Sequence, residues 1–123
     1  MKLQQGMTAL VTGGVSGLGE ASAAALLERG LNVVAVDLND ELGQAMEKQY
    51  AGSLRYVKAD VADEAQMQQA ITAAEAFGNF RALVHCAGIG GPLRLIEKDG
   101  SAGSLEKFVN IIRVNQIGSF NTL

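Results

Sequence analysis

The residues Thr12-Gly13-Gly14-Val15-Ser16-Gly17-Leu18-Gly19 form the first stretch whose types and spacing could do chemistry. They follow a short apolar run, Thr8 to Val11, that reads as a buried strand. They lead into Leu18 to Arg29, where apolar residues take helical spacing. At a strand-to-helix junction, a glycine at 13 allows a sharp turn and one at 17 lets a phosphate reach the backbone. A glycine at 19 lets the helix lie close on the strand. Free N–H groups at the helix start would face an anion, each charge interaction contributing roughly 0.3–1 kcal/mol. Ser16 and Leu18 sit in the same turn, and Ser16 adds a hydroxyl donor. The arrangement points to a pyrophosphate. The plainer reading is a glycine loop that only turns the chain. A nucleoside-triphosphate loop is excluded, because no Gly-Lys-Ser or Gly-Lys-Thr follows.

Asp37 closes a second apolar run that starts at Asn32, 18 residues beyond Gly19. In this kind of unit, an acid there hydrogen-bonds the hydroxyls of an adenosine ribose. Leu38 beside it would line the same place. The carboxylate would also repel a 2′-phosphate, since two unit charges about 4 Å apart interact by about 4 kcal/mol at an intermediate dielectric. No basic residue at Gly14, Val15 or Leu38 offsets that repulsion. NAD is therefore expected over NADP. A solvated acid at a strand end is the alternative.

The elements that must position these groups follow in regular alternation. A helix from Leu18 would present Leu18, Ala21, Ala25 and Leu26, with Gly30 as its cap. Asn39 or Asp40 would cap a second helix with Leu42, Ala45, Met46 and Tyr50 inward. Leu54 to Lys58 is a third strand. Asp63 and Gln66 resemble a capping box for a helix with Met67, Ala70, Ile71, Ala74 and Phe77 inward. Ala82 to His85 is a fourth strand, followed by a glycine-rich loop from Gly88 to Gly103. Ser104 then opens a last helix with Phe108, Ile111, Ile112 and Asn115 on one face. Strands separated by helices of this length give an α/β fold, a Rossmann-type doubly wound parallel sheet of four β-α units. The whole of 1–123 is expected to be one such domain.

Composition agrees and narrows the partners. Of 123 residues, 48% are hydrophobic but only six are aromatic, so the core must be aliphatic. A net charge of −3 with no basic run argues against nucleic acid. No metal site is expected, because Cys86 and His85 lack the neighbours that metal or nucleophilic chemistry needs. One cysteine and no signal-like apolar segment at Met1 to Gly6 fit a cytoplasmic location. The apolar stretch from Met7 to Leu27 is broken by glycines and by Glu20, so no membrane span is expected.

With these residues placed, the chain resembles the N-terminal half of a short-chain dehydrogenase/reductase, and the resemblance runs its whole length. The Thr-Gly-x-x-x-Gly-x-Gly spacing is that family's form of the glycine motif. Asp60-Val61 is similar to its adenine-contacting pair, and Cys86-Ala87-Gly88 to the end of its Asn-Asn-Ala-Gly motif beside the cofactor's ribose and nicotinamide. Val114-Asn115 matches the position of its catalytic Asn, which interrupts a helix and helps hold a relay water. The stretches around Val84 to Ile89, Leu105 to Phe108 and Val114 to Asn121 are similar to type 2 3-hydroxyacyl-CoA dehydrogenases. That likeness implies NAD-dependent oxidation of a secondary alcohol, a 3-hydroxyacyl-CoA or a hydroxysteroid, in a homo-oligomer.

Two departures stand out. His85 and Cys86 replace the two Asn residues of the usual motif, leaving His85 either a buried, hydrogen-bonded residue or a base. The family's Ser and Tyr-x-x-x-Lys have no counterpart: Tyr50 and Tyr56 are followed at that spacing by Leu54 and Asp60. The chain is thus expected to be a truncated, cofactor-binding half, inactive alone, with an open strand edge that favours self-association. A non-catalytic NAD-binding scaffold and a methyltransferase are the rival readings.

Overall fold

The computed structural model describes residues 2–123. Strands β1 (Thr8–Thr12), β2 (Asn32–Asp37), β3 (Leu54–Lys58) and β4 (Phe80–His85) form one parallel sheet in the order β3-β2-β1-β4. Helices α1 (Gly17–Glu28), α2 (Asp40–Gln49) and α3 (Glu64–Phe77) make the three crossovers. Beyond the loop after β4, the chain runs through α4 (Leu105–Ile112), a π-helical turn (Arg113–Ile117) and α5 (Gly118–Thr122).

The pleat sorts the aliphatic strands into two cores. Ala9, Val11, Val33 and Ala35 face α1 and α2, where they meet Ala23, Leu26 and Met46. Leu10, Val34 and Val36 face α3, where they meet Met67, Ala70 and Ala74. Both central strands are buried on both faces, as a sheet covered by helices on each side requires. β4 is only half-buried, and no strand pairs with its outer side among the described residues.

The predicted ends are sharp where a mechanism specifies them. At the end of α1, Gly30 (φ +80°) donates to the Leu27 carbonyl and Leu31 donates to that of Leu26, the paired bonds of a Schellman stop. Asn39 accepts from the Leu42 amide and Asp63 from the Gln66 amide. The capping box is not closed as expected, however. The Gln66 side chain accepts from the Asp60 amide instead of the Asp63 amide, and so pins the turn after β3.

Three predicted helix faces need correction. In α1 the buried row is Gly19, Ala23 and Leu26, while Leu18 is 83% exposed and Ala21 lies outside. The cause is the seating of Gly19 against the Gly13 carbonyl, which sets the helix's rotation and turns Leu18 toward the solvent. In α2, Gly43 and Met46 are buried and Leu42 is exposed, because the Tyr56 ring lies flat on Gly43. In α4 no residue is fully buried, and Phe108 and Ile112 remain exposed, because no described element packs over them.

Gly43 offers a test by sign. Replacing an exposed helical glycine with alanine ordinarily stabilises by about 1 kcal/mol. Here a Cβ would overlap the Tyr56 ring. Gly43→Ala is expected to destabilise by about 1–3 kcal/mol in denaturant unfolding. A stabilised variant would contradict the packing.

Candidate functional site

The carboxyl ends of all four strands open onto a cleft of about 510 Å³. Its walls bring together the glycine turn (Gly13, Ser16, Gly17, Leu18, Gly19), Asp37-Leu38 after β2, Asp60-Val61 after β3, and Cys86-Ala87-Gly88 after β4. Every residue assigned above to cofactor binding lines this one cleft. Asn115 is not among the lining residues, although its neighbour Val114 is.

The glycine turn is built by close approaches. A Cβ on Gly13 would stand 2.9 Å from the Ala87 amide nitrogen, and one on Gly19 would overlap the Gly13 carbonyl oxygen. Gly17 differs: nothing lies within 4 Å of its Cβ direction, and its φ of +52° is what demands glycine. Ser16 is the N-cap of α1, but its side chain makes no capping bond. The N-caps of α2, α3 and α4, Asn39, Asp63 and Ser104, all accept from their own helices. The Leu18 and Gly19 amides, which a cap would satisfy, therefore remain available at the cleft.

Asp37 spends Oδ1 on the Leu38 and Asn39 amides at 2.8 and 3.2 Å, and its Oδ2 takes no protein donor among the described residues. Asp60 accepts from the Ala62 amide through Oδ1 and from Arg113 Nη1 through Oδ2, at 2.9 and 2.8 Å. Burial pushes the Asp60 carboxyl up, but the Ala62 amide and the Arg113 guanidinium together outweigh it and hold the group below the usual carboxylate range.

Thr12 ties the turn to β4. Its Oγ1 accepts from the Cys86 and Ala87 amides, both at 3.2 Å, so its own proton goes to His85 Nδ1 at 2.7 Å. The imidazole then carries its proton on Nε2 and donates to Ser119 Oγ at 3.0 Å, which donates to the Asn115 carbonyl. Both ring nitrogens are engaged. His85 is a hydrogen-bonded strut between β1, β4 and the last helix, and burial pushes it below its ordinary pKa.

The π-helical turn places Asn115 at its centre. Its side chain accepts from the Ile89 amide and donates to the Ile89 carbonyl, each at 2.8 Å. This grips the backbone immediately after Gly88. Sequence reasoning missed Arg113, Ser119 and Ile89 in this network. The one available signal was spacing, because Ser119 lies one turn beyond Asn115. Tyr56 bonds the Asp37 carbonyl and Asp40, and burial and then Asp40 raise its phenol above the ordinary value, so it is held protonated.

An open parallel sheet with its cleft at the strands' carboxyl ends, beside a glycine turn and a helix N-terminus, defines the nucleotide-binding class of doubly wound α/β proteins. A family profile described as short chain dehydrogenase matches residues 7–123. The chain belongs to that family. It is 40% identical over 121 residues to the 3-hydroxyacyl-CoA dehydrogenase type-2 of Bos taurus, covering 97% of this chain and 46% of that one. The structure of 3-hydroxyacyl-CoA dehydrogenase type-2 from Mycobacterium avium superposes with a TM-score of 0.87 at 34% identity, covering 95% of this chain and 46% of that one. The 3-ketoacyl-(acyl-carrier-protein) reductase from Brucella melitensis, crystallised with NADH, gives 0.83 at 32% identity, covering 96% and 47%. The chain spans about half the length of the relatives it matches.

The His85 strut predicts a pH dependence. A folded pKa below 6.5 means that the unfolded chain binds the proton more readily. Stability is then complete above 6.5 and falls as pH drops through the folded value. The Asp60 contribution is lost only below 3.8. Wild type should lose thermal stability on acidification from 6.5, and His85→Gln should lack that step in the same scan. Parallel curves for the two proteins would overturn the assignment.

Proposed function

We propose that this chain is the NAD-binding half of a short-chain dehydrogenase that moves hydride between NAD and a secondary alcohol. The observation that carries the reading is the uncapped start of α1. Among the described residues, α2, α3 and α4 each use their N-cap side chain, whereas α1 leaves Ser16 unused and its amides open on the cleft. A pyrophosphate supplies the missing acceptors and complements the positive end of the helix dipole. Gly17, with open space over it, leaves room for that group to reach the backbone.

The remaining assignments follow from sheet order. With a pyrophosphate at the end of β1, Asp37 and Leu38 would hold one ribose, and Asp60 and Val61 its base. Cys86, Ala87 and Gly88 would hold the other ribose and the nicotinamide. NAD bound there would supply the hydride acceptor, and NADH the donor, for the reaction at the Cys86–Gly88 end. Asn115 acts by positioning, holding the Ile89 backbone and hence the Cys86–Gly88 wall.

For the substrate, the type-2 3-hydroxyacyl-CoA dehydrogenase likeness favours a 3-hydroxyacyl-CoA. These 123 residues bind cofactor without turnover, because neither tyrosine can act as the proton donor. Tyr56 is locked by two bonds beside α2, and Tyr50 lies at the end of α2.

Titration followed by NADH fluorescence tests the cofactor assignment. NADH should bind at least about tenfold more tightly than NADPH, and Asp37→Ala should narrow the gap. Equal affinities in the wild type would overturn it. Production of NADH from a 3-hydroxyacyl-CoA by the 123 residues alone would contradict their assignment as a binding half.

A further inference from the structure

The last helix touches both walls of the cleft, and the π-helical turn is what allows it. Arg113, at the first position of the turn, reaches Asp60 on the β3 side. Asn115, at its centre, grips Ile89 on the β4 side. Two further contacts hold the β3 side. Asn121 Nδ2 donates to the Val61 carbonyl at 2.8 Å, and Gly118 lies so close to the Val61 side chain that a Cβ would meet it at 2.6 Å. A helix without the wider turn would rotate these positions relative to one another by the angle of the inserted residue.

Asp60 is fixed from three directions. Gln66 accepts from its amide, Ala62 donates to Oδ1, and Arg113 donates to Oδ2. Of the two contacts to the carboxylate itself, only that of Arg113 comes from outside the turn after β3. A carboxylate has about four lone-pair sites, so acceptor capacity remains for a donor in the cleft. On the proposed reading, the base nearest Asp60 belongs to the Asp37 side of the dinucleotide, and an exocyclic amine is the donor an acceptor-only carboxylate recognises.

We propose that Arg113 is a positioning residue for base recognition. It holds the Asp60 carboxylate in place to accept from the exocyclic amine of adenine, and it links that wall, through the π-helical turn, to the Asn115 grip on Ile89. This rests on the cleft being a dinucleotide site. Arg113 does not touch the ligand. Its effect passes through Asp60, whose charge and orientation it maintains.

Purine riboside 5′-monophosphate differs from AMP only in lacking the exocyclic amine, so the ratio of the two affinities reports the Asp60 contact itself. Wild type should bind AMP more tightly than purine riboside 5′-monophosphate. Arg113→Met should weaken AMP by about tenfold and bring the two ligands close together, with nicotinamide mononucleotide unaffected. In the wild type, AMP should also move the Ile89 amide and Asn115 side-chain resonances. That second readout needs no variant to fold. An unchanged ratio in Arg113→Met, or AMP binding that leaves Ile89 and Asn115 unmoved, would overturn the proposal while leaving the cleft assignment standing. Failure of AMP, nicotinamide mononucleotide and NAD all to bind the wild type would overturn both.

Discussion

Gly19 lies so close to the Gly13 carbonyl oxygen that any side chain there would overlap it, and a Cβ on Gly13 would stand 2.9 Å from the Ala87 amide nitrogen and 3.0 Å from the Cys86 carbonyl carbon. This stack of three backbone segments sets the geometry of the cleft. It fixes where α1 begins, how the helix is rotated, and how near β4's end comes to β1's. The same stack leaves the Ser16 side chain clear of its own helix and the first amides of α1 facing outward. Glycine is needed because the segments approach closer than a Cβ allows. Gly13 (φ +62°) also needs the left-handed backbone that glycine allows, and at Gly17 (φ +52°), where space is open, that backbone is the sole reason.

Around that stack, the polar ties converge on the last helix. Thr12 distributes its hydroxyl among Cys86, Ala87 and His85, and His85 passes the chain of bonds to Ser119 and Asn115. Asp60 and Val61 are tied to the same helix by Arg113 and Asn121. The helix thus braces the loops after β3 and β4 at once, while its outer apolar face, with Phe108, Ile117 and Phe120, remains exposed. Polar contacts to the cleft, more than burial of that face, define its seat.

The parallel α/β alternation, the four caps and the Gly13–Gly19 and Asp37 parts of the cleft were legible because each rests on local chemistry. Glycine at a strand-to-helix junction, an acid at the next strand's end and Asx or Ser before a helix have few other uses. Likeness to a known family added Asp60, Cys86 and Asn115, which spacing alone would not have marked. The helix faces read worse. Apolar periodicity in α1 pointed to Leu18 and Ala21, but the Gly19 contact turned them outward. In α2, Tyr56 on Gly43 had the same effect on Leu42. A residue without a side chain can mark the buried row, and no hydrophobic pattern registers it. The Arg113–Asp60 pair spans 53 positions, and the π-helical turn that aims it leaves no compositional trace.

The central claim is that the start of α1 receives the phosphates of a dinucleotide. An amide-resolved NMR titration of the chain with NAD tests it most directly. The account predicts the largest shifts at Gly17, Leu18 and Gly19, with smaller ones at Asp37 and at Ala87 to Gly88. Binding that leaves the Gly17 to Gly19 amides unmoved, and shifts residues elsewhere, would contradict it.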